Sequence, residues 1–225
     1  MKLFKAILKQ ILGRGSMRSY SQFGEDAVLN SMLRKQAKGF YVDVGAYHPM
    51  LYSNTYALYT RGWNGIAVDP NIKMEGLYKF FRPRDIFVGS GVSKNKSSLK
   101  YYEYADAAYN SFSEAQVNEL KDKNKISPLR ESSVPVKPLR EIVAAHHVTS
   151  IDLLSVDVEG MDLEVLESHD WSIRPRLVLM EAHGFNPENP QAYPTYVFMK
   201  DKGYKLRSIA GLSLIFEDMQ AVDTK

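Results

Sequence analysis

Two short apolar runs, each ending in an acid and a turn, constrain this chain more than any other feature. Phe40–Val44 is interrupted only by Asp43 and breaks at Gly45, and a second run, Ile66 to Val68, ends in Asp69 and Pro70. Runs of this length bounded by turn residues read as buried strands. Asp69 follows Gly45 by 24 residues, near the ~20-residue offset at which nucleotide-binding α/β folds carry a ribose-binding carboxylate. A turn that lets a ligand approach the backbone, with an acid at the next strand end, suits an adenosine-bearing cofactor.

The rest of the chain repeats this alternation. Ser21 reads as the N-cap of a helix over 22–36, with Val28, Leu29, Met32 and Leu33 as its apolar stripe. Further strands are expected over 86–92, 99–103, 134–136, 151–158, 177–180, 204–208 and 212–217, and helices over 53–60, 77–81, 113–121, 139–146, 163–168 and 196–202. Strands alternating with helices imply a mostly parallel sheet covered on both faces. The last two strands, joined by 209–211, imply an antiparallel pair at one edge. Residues 104–135 are polar and irregular, which marks them as a substrate-facing insertion or lid.

At 225 residues the chain is long enough for one α/β domain, taken as 16–225. A net charge of +3 is too small to argue for nucleic acid, and the absence of cysteine removes disulfides, thiolate zinc sites and thiol nucleophiles. No apolar run approaches the ~18 residues of a spanning helix. Residues 1–15 stand apart. Phe4, Ile7, Leu8 and Ile11 fall on one helical face and Lys2, Lys5 and Lys9 largely on the other. Such a basic amphipathic helix either lies in an anionic headgroup layer or packs on protein. The expected setting is cytoplasmic, with peripheral contact at the inner membrane surface through 1–12.

In an open α/β sheet, ligands gather at the carboxyl ends of the strands. Asp43, Gly45, Asp69, Asp157, Glu159, Glu181 and His183 all fall there. One glycine at Gly45 is not the three-glycine dinucleotide fingerprint, which counts against NAD or FAD; a phosphate-free cofactor such as S-adenosylmethionine needs only room beside the turn. His183 is a candidate general base, and Asp157 and Glu159 are further catalytic candidates. Asp157 and Glu181, with Glu159 or His183 as the third ligand, could hold Mg²⁺ or Mn²⁺. His146, His147 and His169 lie away from the acids and read as structural or solvent-facing. Tyr101, Tyr102, Tyr104 and Tyr109 crowd the start of the insertion, where tyrosines either stack on sugar rings or pack on a sheet.

Five segments together resemble the FkbM family of S-adenosylmethionine-dependent methyltransferases: Y-S-Q-F-G-E-D (Tyr20–Asp26), Y-V-D-V-G-A (Tyr41–Ala46), S-N-T (Ser53–Thr55), G-W-N-G-I-A-V-D-P-N (Gly62–Asn71) and I-D-L-L-S-V-D-V-E-G (Ile151–Gly160). The first places the resemblance in the subgroup that opens on Ser-Gln-x-Gly-Glu-Asp. The resemblance implies a class I methyltransferase, Rossmann-like α/β fold: a mostly parallel seven-stranded sheet, helices on both faces and an antiparallel edge strand. It also implies methyl transfer to oxygen, often on a sugar of a glycan, lipopolysaccharide or glycosylated natural product, so that the partner is a carbohydrate or glycolipid. By the same resemblance Asp43 and Gly45 line the methionine end of the cofactor, Asp69 takes the ribose hydroxyls, and Ser90, Gly91 and Val92 flank the adenine. Gln22, Glu25, Ser53 and Asn54 close the site from above. A protein or nucleic-acid methyltransferase, or a non-catalytic interaction module, are the competing readings; the small net charge and the lack of an amine-methylating Asn/Asp-Pro-Pro-aromatic motif disfavour the first of them.

Overall fold

The structure, a computed structural model, describes residues 18–94 and 97–220. The expected amphipathic helix at 1–12 lies outside these residues. No helix among the described residues is long and apolar enough to cross a membrane.

Seven strands form the main sheet: β1 (Phe40–Val44), β2 (Asn64–Val68), β3 (Ile86–Val88), β7 (Leu153–Val156), β8 (Leu177–Glu181), β9 (Tyr204–Ala210) and β10 (Ser213–Asp218). Their order is β3-β2-β1-β7-β8-β10-β9. The first five run parallel. β10 pairs antiparallel with both β8 and β9, so the expected antiparallel pair closes one edge, with β10 as its inner member and β9 outermost. The sheet order reverses between β1 and β7, and that switch point is where an open α/β sheet leaves a crevice. The central strands read Tyr-Val-Asp-Val, Leu-Leu-Ser-Val and Leu-Val-Leu-Met, and every one of those residues is buried. Their two faces supply the two main apolar clusters: Val42, Val44, Leu154, Val156, Val178 and Met180 on one side, Tyr41, Leu153, Leu177 and Leu179 with Trp63 on the other.

Several local expectations change. The first helix, α1 (Glu25–Met32), starts at Gly24 in a left-handed conformation, φ 87°. Ser21 does not cap it; its hydroxyl donates to Asp26 Oδ1 at 2.9 Å and accepts from the Asp26 amide at 3.2 Å, holding 19–26 as a tight loop. The strand expected over 86–92 breaks at Gly89 and Ser90, because β4 (Gly91–Val92) leaves the main sheet for a second, three-stranded one of order β4-β6-β5. In that sheet β5 (Ser98–Glu103) pairs antiparallel with β6 (Arg130–Lys137), far longer than the short piece expected over 134–136. Residues 104–135 are therefore not wholly irregular. They carry a 3₁₀ turn (Ala107–Tyr109), a helix of six residues (Glu114–Glu119) capped by Ser113, a π turn (Leu120–Asn124) and most of β6.

Candidate active site

Gly45 ends β1 at φ 79°, and its amide donates to Val68 O at 2.9 Å. A Cβ here would lie 1.7 Å from the Asp157 carbonyl oxygen, so only glycine lets the ends of β1 and β7 come this close. The chain after Gly45 rises as a loop through Tyr47, φ 45°, and is tied down by Asp69, whose two carboxylate oxygens accept from the Tyr47 and Asn71 amides, each at 2.8 Å. Between this loop, the end of β7 and the insertion opens a cleft of about 210 Å³.

The walls of the cleft are distinctive. Four carboxylates face it, Asp69, Asp106, Asp157 and Glu159, with five aromatic rings, Tyr47, Tyr52, Tyr101, Tyr109 and Phe112. Among the described residues no lysine, arginine or histidine lines it. Such a surface repels phosphates and favours a cation flanked by an aromatic ring system, which is the charge and shape of a sulfonium nucleoside. Burial pushes the Asp69 carboxyl up to about 6, against the two backbone amides that lower it. It is thus ionised at neutral pH and protonated below. Cofactor affinity is expected to fall about fivefold between pH 7.5 and 5, the loss of one charge-assisted hydrogen bond. Titration calorimetry with S-adenosylhomocysteine at both values checks this, and an Asp69→Asn variant should show no such drop.

Beyond the cleft floor lies a cluster of acids at the ends of β7 and β8. His183 Nε2 lies 2.9 Å from Glu181 Oε1, while Glu181 Oε2 is buried without a partner. Burial first, then the charges of Asp157, Glu159 and Asp162 and a hydrogen bond to Asp157, push the Glu181 carboxyl up to about 10. Burial first, then the charges of Glu159, Asp162, Asp43 and Glu25, raise Asp157 well above the usual carboxylate range. Asp162, buried with one oxygen unpartnered, is pushed up to about 7 by burial. Carboxyls crowded this closely call for a proton or a cation among them. One ligand atom each from Glu159, Glu181 and His183 lie within 4.8 Å of one another. Of the four candidate ligands Asp157, Glu159, Glu181 and His183, the last three are grouped in this way, and Asp157 lines the cleft with Glu159.

Of the expected cofactor residues, Gln22, Gly45 and Asp69 line the cleft, as do Asp157 and Glu159. The others are near it but turned elsewhere. Asp43 accepts from Thr55 Oγ1 at 2.6 Å, and Ser53 Oγ accepts from Arg82 Nη1 at 3.2 Å. Asn54 is buried beside them. Glu25 accepts from the Phe23 amide at 2.9 Å and from the Ser213 hydroxyl at 3.3 Å, joining α1 to β10. Ser90 donates to the Gly91 and Pro135 carbonyls, and Gly91 and Val92 pair with β6, so this trio anchors the second sheet rather than facing the cleft. Pro70, Asn71 and the stretch Asp106 to Phe112 face the cleft instead. Gly91 still matters to it: a Cβ there would meet Phe112 at 2.6 Å. Of the four insertion tyrosines, Tyr101 and Tyr109 reach the cleft, while Tyr102 and Tyr104 pack with Leu120. His169 is buried and bonded to Ile173 O at 2.8 Å, a structural role.

Arg82 carried no sequence signal. It follows Phe80 and Phe81 at the end of the helix Glu75–Phe81 and reads as a surface residue, yet it is fully buried. The only hint was Asp85 three residues on.

The methyltransferase FkbM domain model matches residues 43–206. None of the curated proteins matches the sequence. Similar solved structures include a Staphylococcus aureus protein assigned as a caffeoyl-CoA O-methyltransferase, 11% identical, with 94% of this chain and 91% of that one covered and a TM-score of 0.44. Another is precorrin-6y C5,15-methyltransferase from Geobacter metallireducens GS-15, 12% identical, covering 85% and 84%, with a TM-score of 0.41. The matched span runs from the acid of β1 through the cleft floor to β9. The chain belongs to the FkbM methyltransferase domain family, a family of S-adenosylmethionine-dependent methyltransferases.

Proposed function

We propose that the protein methylates a hydroxyl of a carbohydrate: a sugar of a glycan, a lipopolysaccharide or a glycosylated natural product. The observation that carries this reading is the acid–histidine cluster adjoining a cleft with no basic wall. Carboxylates accept hydrogen bonds from neighbouring hydroxyls, and the stacked Tyr47 and Tyr52 rings, 6.5 Å apart, offer flat apolar faces of the kind that pack on sugars. The Tyr20–Asp26 block, outside the matched span, supports reading the chain within the Ser-Gln-x-Gly-Glu-Asp subgroup. S-adenosylmethionine supplies an already electrophilic methyl. The protein must align an alcohol behind it, a contribution of several kcal/mol, and receive the alcohol's proton, worth ~10²–10⁴-fold in rate.

Two proton acceptors fit. With Nε2 lying 2.9 Å from Glu181 Oε1, His183 would accept through Nδ1. Alternatively Glu159, Glu181 and His183 hold Mg²⁺ or Mn²⁺, for which the unpartnered Glu181 oxygen and the oxygen-rich donor set are suited. A cation there would acidify a bound hydroxyl and leave Asp157 as the neighbouring carboxylate. Screening a labelled methyl donor against lipid-linked glycans and nucleotide sugars, with and without chelator, tests both levels. A methylated sugar oxygen located by mass spectrometry is expected, and labelling confined to protein or nucleic acid would overturn the carbohydrate reading. Activity undiminished by chelator would leave His183 as the acceptor.

A further inference from the structure

Glu159 occupies an uncommon backbone state. Its φ is 54°, and Gly160 follows at 92°, so two successive residues are left-handed at the end of β7. Glycine adopts that conformation readily, but for glutamate it costs about 1–2 kcal/mol and persists only where surroundings hold it. Two groups of the insertion do so. The Ser111 hydroxyl donates to the Glu159 carbonyl at 3.4 Å, and the Gln116 side-chain amide donates to Glu159 Oε2. Gln116 is itself fixed by its helix: the Ser113 hydroxyl accepts from the Gln116 amide at 3.3 Å, and the Ser113 amide in turn donates to Ser111 Oγ at 2.9 Å. The remaining side-chain oxygen of Gln116 is buried without a partner. Crowded with the Glu181, Asp157 and Asp162 carboxyls, the Glu159 side chain would without that hold be free to turn to another rotamer.

We propose that Gln116 is a positioning residue, which locks the Glu159 carboxylate beside Glu181 and His183 so that the insertion, not the main sheet alone, sets the geometry of the cluster. Glutamine suits the task because its amide donates to a carboxylate without adding charge, and it spans the gap from the insertion helix to the end of β7. Glutamate in its place would oppose the carboxylate, and alanine would leave it unheld.

The proposal rests on the carbohydrate-and-cation reading only for one arm of its test. In the first arm, crystal structures of the full chain and of Gln116→Ala are compared. The Glu159 carboxylate is expected to leave Glu181 and His183 in the variant, and a carboxylate that stays within 0.5 Å or so of its original place, about the tolerance of a working site, overturns the proposal. In the second arm Mn²⁺ is titrated against wild type, Gln116→Ala and Gln116→Glu by electron paramagnetic resonance. Loss of the hydrogen bond behind a ligand typically weakens metal binding ~10–100-fold, the decrease expected in both variants. Equal Mn²⁺ affinity in all three proteins contradicts the proposal. A wild type that binds no Mn²⁺ removes the cation reading, and the crystallographic arm then decides the positioning claim alone. Gln116→Asn, too short to reach, should behave as Gln116→Ala.

Discussion

Replacing Arg82 with methionine is expected to lower the unfolding free energy by about 3–5 kcal/mol, the usual cost of breaking a buried ion pair from one side. Arg82 Nε donates to Asp85 Oδ2 at 2.6 Å, with both side chains inaccessible to water. Nη1 donates to the Pro49 carbonyl and Ser53 hydroxyl, and Nη2 to the Tyr41 hydroxyl at 2.7 Å and Thr55 Oγ1 at 2.9 Å. Three tyrosine rings, those of Tyr41, Tyr59 and Tyr78, lie between 5.2 and 5.4 Å from the guanidinium carbon. Methionine would fill much of the volume but strand Asp85, whose other donors are Tyr41 and the Gly65 amide. Asp43, already raised by burial, would lose the charge that opposes that rise. Urea unfolding of the variant measures the cost. Adding Asp85→Asn to it should recover part of the loss, because the second change removes the stranded charge. A single variant within about 1 kcal/mol of wild type would mean that the network contributes only packing.

The second large effect is expected at the other end of the site. Glu181→Gln should leave S-adenosylhomocysteine binding intact and lower methyl transfer to the acceptor ~10²–10⁴-fold, whether Glu181 orients His183 or holds a cation. The substitution keeps the shape and removes the titratable carboxyl whose Oε1 lies 2.9 Å from His183 Nε2, and with it the oxygen that could hold a proton or a cation there. Single-turnover methyl transfer and calorimetry on one preparation separate chemistry from binding. Turnover within threefold of wild type would place the proton acceptor outside this cluster.

What the sequence displays depends on whether a residue's role is local. Phe40–Val44 announces itself because a strand buried on both faces must be apolar throughout, and Gly45 and Asp69 because turns and strand ends restrict residue type. Most of β6 was hidden: Arg-Glu-Ser-Ser-Val-Pro-Val-Lys is largely polar, since seven of its eight residues keep some solvent contact in a small sheet. The strand expected through Val92 broke at Gly89 because an apolar run does not say which of two sheets it joins. Arg82 and Gln116 were illegible for a different reason. Each acts through a partner distant in sequence or in another element, Tyr41 and Thr55 for one, Glu159 for the other. The family expectation for Ser90, Gly91 and Val92 gave no sign that Gly91 and Val92 form a strand of a second sheet.

The account stands on the cleft beside Gly45 holding a positively charged adenosyl group. Calorimetric titration of the purified protein with S-adenosylmethionine, S-adenosylhomocysteine and NAD⁺, repeated on Asp69→Ala, tests that most directly. Saturable binding of the first two, none of NAD⁺, and a loss of at least about tenfold on substitution, as for a buried charge-assisted hydrogen bond, are predicted. NAD⁺ binding in place of the methyl donor, or affinity indifferent to Asp69→Ala, would contradict it.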